Sequence, residues 1–142
     1  MFQVAILDDY TNAALTSSDW DVLPDNYKIT VFNDNLIETD ALVKRLTEFD
    51  IVCAMRERTP FTSEVFNALP NLKLFVTTGM RNAAVDIAAA NKNGVTVCGT
   101  GGSGMSTPEH TWALLHACAR NIVHDSTICL LYTSDAADEL RS

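Results

Sequence analysis

Basic residues are in the minority, with 10 Lys and Arg against 18 Asp and Glu, a net charge of −8 over 142 residues. A surface of that sign repels phosphate backbones and excludes nucleic acid as a partner. No apolar run approaches the ~20 residues that a membrane-spanning helix needs. The opening MFQVAILDDY lacks the basic start and small-residue cleavage site of a secretory signal. A cytoplasmic protein with no membrane partner is expected. Cysteine is sparse: Cys53, Cys98, Cys118 and Cys129 are far apart, with no C-x-x-C. They are expected to be buried free thiols rather than metal ligands or disulfides. The three histidines, His110, His116 and His124, are spaced by 6 and 8 residues. None forms the i, i+4 pair of a helical metal site, and none has a carboxylate at triad spacing, so no metal is expected.

What remains is 47% hydrophobic, enough for a core in a length that suits one ordinary domain. Short apolar runs rich in strand formers recur as FQVAIL (2–7), YKITVF (27–32), DIVCAM (50–55), LKLFVTT (72–78) and VTVC (95–98). Helical spacing lies between them. TDALVKRLTEF puts Leu42, Val43, Leu46 and Phe49 on one stripe, with Thr39 or Asp40 as N-cap. TSEVFNAL has Thr62 or Ser63 as cap and Pro70 beyond its end, and VDIAAANKNG closes on Gly94. Strands apolar on both faces, alternating with short amphipathic helices, predict an α/β fold. About five parallel strands would form a sheet covered on two sides, with right-handed crossovers. Ligands gather beyond the carboxyl ends of such strands, which points to the loops at 8–10, 56–60, 77–82 and 99–107. The connection at 11–26 has only a weak helical stripe.

GTGGSG (99–104) contains a full G-x-G-x-x-G between the fifth strand and a helix-like run. A dinucleotide cradle needs its third glycine inside the first helical turn, facing the pyrophosphate. Met105, Ser106 and Thr107 intervene before Pro108, a favoured first helical residue, which makes Thr107 the expected N-cap. The acid wanted ~20 residues on would be Asp125, with no strand leading to it. The loop therefore reads as a linker rather than a nucleotide cradle. The following helix has Trp112, Leu115, Ala119 and Ile122 on one stripe, widened almost all round by Ala113, Leu114, Ala117 and Cys118. Such a helix belongs either in a core or between this domain and another.

MRERTPFTSEVFNALPNLKLFVTTGMRNAAVDIAAANKNGVTVCGT, followed by TPEHTWALLHACARNI, resembles the N-terminal catalytic domain of the D-isomer-specific 2-hydroxyacid dehydrogenases, the phosphoglycerate dehydrogenase-like group. The opening VAILDDY fits the same group. The resemblance implies a flavodoxin-like, doubly wound domain at 1–106, an interdomain helix at 107–124, and an NAD-binding domain absent from this chain. It implies hydride transfer between NAD and a small 2-hydroxy or 2-keto acid, and a homodimeric full-length enzyme. The family's catalytic Arg, Glu and His follow the interdomain helix, so no catalytic residue is assigned here, and the fragment alone is expected to be inactive. The tail from Cys129 resembles a reading frame of a sequencing adapter, so 125–142 is read as a short linker and a non-native tail.

VTTGMRN is the strongest local candidate for a binding site. A strand running into Gly79 turns sharply, and consecutive free amides there form an anion-binding concavity. By the resemblance, the amides of Thr78, Gly79 and Met80 hold the substrate carboxylate, with Asn82 bracing the turn. In MRERTP, Arg56 and Arg58 are two residues apart and would point the same way from an extended segment. The resemblance implies that an Arg here meets the acidic end of some substrates; Arg56 is favoured, and a solvated surface pair is the alternative. Thr107 matches a position that touches the cofactor in the family, although capping alone accounts for it. Glu109 fits the family pattern and also suits the helix dipole; Pro108 departs from the usual alanine. Arg81 is not expected to be catalytic. Two other readings stay open: a stand-alone flavodoxin-like or receiver-type module using Asp8 and Asp9, and an interaction fragment pairing through Trp112 to Ile122.

Overall fold

In the computed structural model, which describes residues 1–132 and side chains through Cys129, the chain forms two compact units, Met1–Gly102 and a second from Ser103 onward. In the first unit, β1 (Phe2–Ile6), β2 (Tyr27–Val31), β3 (Ile51–Ala54), β4 (Leu74–Thr77) and β5 (Thr96–Gly99) form one sheet in the order β2-β1-β3-β4-β5. All pairings are parallel. This is the flavodoxin-like order, in which the direction of winding reverses beside β1. The α/β expectation holds strand by strand.

Register separates the two faces. Ala5, Val52, Phe75 and Val97 lie side by side across β1, β3, β4 and β5. On them pack Leu42 and Leu46 of α1 (Thr39–Leu46), Val65 and Phe66 of α2 (Ser63–Asn67), and Ala89 and Ala90 of α3 (Ile87–Lys92). Phe61, Phe66 and Phe75 meet with ring centroids 4.6 to 6.0 Å apart at the centre of this core. On the opposite face, the row Ile6, Cys53, Val76 and Cys98 runs from buried through half-buried to exposed. There the β1–β2 connection lies near β1, with Trp20 donating to the carbonyl of Ala14 at 2.8 Å.

Helix ends show where short-range reading succeeds. Thr62 caps α2, its hydroxyl accepting from the Val65 amide, and Asp86 caps α3 by accepting from Ala89 at 2.9 Å. Gly94 follows α3 with φ +73°, the left-handed closure expected of it. α1 differs from expectation. Its N-cap is Glu38, without a side-chain bond, so Thr39 and Asp40 are already helical. It stops at Leu46, and Phe49, expected on its stripe, instead packs edge-on to Phe32 at 5.9 Å.

In the second unit, α4 (Ser106–Ala119) begins one residue before Thr107, with Met105 as N-cap. Pro108 is tolerated in the first turn because amides there have no intrahelical partner, so Thr107 is not the cap. The single helix expected to Asp125 is broken. Arg120 ends α4, Asn121 adopts φ +51°, a region Asn enters more easily than most residues, and α5 runs Ile122–Tyr132. No residue of α4 is buried. The cysteines are free as expected, but Cys98, Cys118 and Cys129 are exposed and only Cys53 is half-buried. Cys98 lies on edge strand β5, in the row of Ile6, Cys53 and Val76, and the other two are on the second unit's helices. Residues 133–142, and with them most of the expected non-native tail, lie outside the described residues.

Candidate functional site

The carboxyl ends of β3, β4 and β5 meet at a closely fitted cluster. β4 runs into Thr78, whose amide continues the sheet ladder by donating to the Ala54 carbonyl at 3.1 Å. The chain then bends at Gly79, whose φ of +101° is open to glycine alone at low cost. A Cβ on Gly79 would lie 2.8 Å from Nη1 of Arg56, so the guanidinium lies directly against the bend. On the other flank, a Cβ on Gly99 would lie 2.9 Å from the Gly79 carbonyl oxygen and 3.1 Å from Cα of Met80. Gly79 is needed for its positive φ, and Gly99 for the close approach of backbone to backbone.

Hydrogen bonds fix these strand ends. Asn82, buried, donates through Nδ2 to the Arg56 carbonyl at 2.7 Å and to Thr77 Oγ1 at 2.9 Å, while its Oδ1 accepts from the Ala84 amide. It braces the bend as expected. The Arg56 amide donates to Thr78 Oγ1 at 2.9 Å, and the Gly79 amide donates to Thr100 Oγ1 at 2.9 Å. Of the three amides singled out in the sequence, those of Thr78 and Gly79 are therefore engaged within the protein. The amides of Met80 and of the next residue, Arg81, have no partner among the described residues, and both residues are exposed.

The two arginines do not point the same way. Residues 56–58 form a turn rather than an extended segment, and Arg56 itself has φ +57°. Arg58 turns toward β1, donating to the Asp8 carbonyl at 2.6 Å and stacking on Tyr10 at 4.6 Å. The Arg56 guanidinium makes no ion pair or hydrogen bond among the described residues. It is the free cation of this loop pair, an exposed side chain held at its backbone.

The acidic pair after β1 is consumed structurally. The carboxylate of Asp8 accepts from Asn35 Nδ2 and Thr59 Oγ1, each at 2.8 Å. That of Asp9 accepts from the amides of Ala13 and Ala14. The Ala14 amide foremost, with help from Ala13 and against the opposing effect of burial, holds the Asp9 carboxyl below its ordinary value. No group of three metal-ligating side chains occurs among the described residues. Beside these acids, a cleft of about 500 Å³ is lined by Asp8, Cys53, Trp20, Arg58, Thr78 and Thr100, among others. Burial raises the pKa of the Cys53 thiol there.

The glycine-rich loop has none of the geometry of a nucleotide cradle. Gly101, Gly102 and Gly104 lack positive φ, and a Cβ on any of them would meet nothing within 4 Å. No close approach requires their being glycine, and the linker reading fits. Thr107 is in the first turn of α4, exposed, with its carbonyl accepting from Thr111 Oγ1 at 2.9 Å.

Comparison with known proteins supplies the family. The sequence model for the D-isomer specific 2-hydroxyacid dehydrogenase catalytic domain matches residues 4–141. The chain belongs to this family. A hydroxypyruvate reductase of Thermotoga maritima is 30% identical over 114 residues, covering 80% of this chain and 37% of the relative. A D-3-phosphoglycerate dehydrogenase of Archaeoglobus fulgidus is 33% identical over 84 residues, 58% of this chain and 16% of the relative. Among solved structures, a phosphoglycerate oxidoreductase of Vibrio cholerae aligns with a TM-score of 0.74 at 36% identity, over 82% of this chain and 37% of that one. The chain thus spans little more than a third of the length of these dehydrogenases at most. The family match draws no boundary at Cys129, since it runs on to 141. His110 and His116 lie on α4 and His124 on α5, and among the described residues their one aromatic contact is between His116 and Trp112, with ring centroids 6.0 Å apart.

Gly99 and Thr100 belong to the cluster at the Gly79 bend, a placement the sequence reading missed because the glycine motif drew them into a linker. Parallel register was the available signal: Thr77 pairs with Gly99, which sets Thr100 beside the Gly79 bend.

Proposed function

We propose that this chain is the substrate-binding part of an NAD-dependent D-2-hydroxyacid dehydrogenase, and that it anchors the carboxylate of a 2-hydroxy or 2-keto acid at the Gly79 bend. The observation that carries this reading is the unpaired Arg56 guanidinium lying against Gly79, next to the free amides of Met80 and Arg81. A carboxylate there meets a charge-assisted donor and preorganised backbone donors, which orient the adjacent C2 for reaction. Thr78 and Gly79 shape the bend, and Met80 supplies an amide. Arg56, through its planar fork, favours substrates with an acidic end.

NAD, when bound, supplies hydride chemistry. The described glycine loop does not fit as its cradle, so the chain's own part is to bind and orient the acid. Thr107 is the one residue assigned to touch the cofactor in the full-length enzyme. The substrate domain is taken as 1–106, the interdomain helix as 107–124 and the linker with tail as 125–142. Its exposed apolar residues Trp112, Leu114 and Leu115 suit a helix that is covered in a longer, homodimeric, cytoplasmic enzyme.

Two titrations of the purified chain test this. Hydroxypyruvate and 3-phosphoglycerate, followed by amide NMR shifts, are expected to perturb Met80 and Arg81 saturably, and Arg56→Gln to weaken that binding. Shifts elsewhere, with none at the bend, would refute it. NADH fluorescence is expected to show no micromolar binding and no turnover; tight binding would return the Gly99–Gly104 loop to consideration.

A further inference from the structure

The Gly79 amide, the donor best placed by its bend, is not presented to solvent. It is donated to the hydroxyl of Thr100 at 2.9 Å. Thr100 is itself pinned, because its amide reaches the carbonyls of both Thr77 and Gly79 at 3.2 Å. Its predecessor Gly99 admits no side chain without striking the Gly79 carbonyl at 2.9 Å. Thr100 therefore has a fixed backbone, and its hydroxyl oxygen is oriented by an incoming hydrogen bond.

A hydroxyl has one proton to give and two lone pairs to receive with. One lone pair of Thr100 Oγ1 takes the Gly79 amide, and the proton has no acceptor among the described residues. Accepting a hydrogen bond polarises the O–H and strengthens it as a donor. With Thr78, Thr100 lines the cleft of about 500 Å³ beside Asp8 and Asp9.

Resting on the carboxylate-binding reading above, we propose that Thr100 is a substrate-binding residue. Its hydroxyl relays the Gly79 amide, donating to the carboxylate in that amide's place. The hydroxyl then adds a donor at the Gly79 bend, against which the Arg56 guanidinium also lies. The competing arrangement is a plug, in which the hydroxyl blocks the Gly79 amide and must swing away before an acid binds.

Variants at 100 separate the two, using hydroxypyruvate as probe and amide NMR on the 142-residue chain. Thr100→Val keeps the shape and removes the hydroxyl; loss of a donor to a charged group is expected to weaken binding about tenfold or more. Thr100→Ser is expected to bind within about twofold of the unsubstituted chain, as serine keeps the same donor and acceptor inventory. The Gly79 amide should exchange slowly in the unsubstituted and Ser chains and quickly in Val. Binding by the Val variant that is unchanged or tighter overturns the relay while leaving the carboxylate site standing, provided Arg56→Gln still weakens it. If Thr100→Val does not fold, a Ser variant with protected Gly79 amide but lost affinity overturns it equally. No binding of the probe to the unsubstituted chain overturns both proposals.

Discussion

Replacing Gly79 by alanine separates two costs that the bend combines. The first is backbone strain: an L-residue held near φ +101° costs on the order of 1–3 kcal/mol. The second is steric, because the new Cβ would lie 2.8 Å from Arg56 Nη1. That atom is the far end of an exposed, flexible side chain with no other partner, so it swings aside at little cost in stability. Gly79→Ala is therefore expected to lose about 1–3 kcal/mol through the backbone and to lose carboxylate affinity through the displaced guanidinium. With a urea slope of about 1–3 kcal/mol/M, the midpoint should fall by roughly 1 M at unchanged slope. Gly101→Ala is the control. Lacking both positive φ and any neighbour within 4 Å, it should be neutral or stabilising by up to about 1 kcal/mol. Adding Arg56→Ala to Gly79→Ala should leave the stability loss nearly the same, since additivity fails only where residues couple energetically. Equal urea midpoints for Gly79→Ala and Gly101→Ala would refute the strain argument. A large coupling to Arg56 would refute the division of costs.

Phe75→Ala removes the ring at the centre of the Phe61–Phe66–Phe75 cluster, fully buried; a loss of about 3–5 kcal/mol is expected in the same urea assay. Asp50 is held below its ordinary 3.8, first by the hydrogen bond from Lys73 and then by the Gln3 amide. A carboxyl depressed in the folded state adds stability above its unfolded pKa, and loses it as pH falls through the folded one. Asp50→Asn should therefore flatten the decline of the urea midpoint below about pH 4 and leave its slope near neutrality unchanged. Alkylation followed by peptide mass spectrometry should modify exposed Cys98, Cys118 and Cys129 before Cys53, whose burial raises its pKa; first reaction at Cys53 would show that the cleft face opens.

Legibility followed the range of the interactions involved. All five strands were visible because their patterns are local, and so were the cap at Thr62 and the closure at Gly94, where the deciding bonds lie within a few residues. Pro108 misled because the first helical turn tolerates proline at more than one position, and Asn121 broke a helix whose apolar pattern continued through it. The bend at Gly79 and its Asn82 brace were legible from one short stretch. Its flanks were not: Arg56 reaches it across 23 residues and Gly99 across 20, and only the β3–β4–β5 register brings them there. The opposite directions of Arg56 and Arg58 depended on a left-handed residue that no local pattern demanded.

Register also bears on why the proposed site stands where it does. Open parallel sheets place ligands where the strand order reverses, between β1 and β3 in this protein. The polar groups of that crevice are already satisfied by one another. Asn35 and Thr59 donate to the Asp8 carboxylate, Asn35 also donates to Thr59, and Arg58 donates to the Asp8 carbonyl. A ligand entering there displaces bonds worth about 1 kcal/mol each, with more at stake for the charged groups, before it forms any of its own. Beyond β3, β4 and β5 the balance reverses, because the exposed Arg56 guanidinium and the Met80 and Arg81 amides have no partner among the described residues. A carboxylate arriving there would exchange its hydration for amides whose orientation the backbone fixes and for a flexible guanidinium held at its backbone, which is why the proposed site is placed at these strand ends rather than at the reversal.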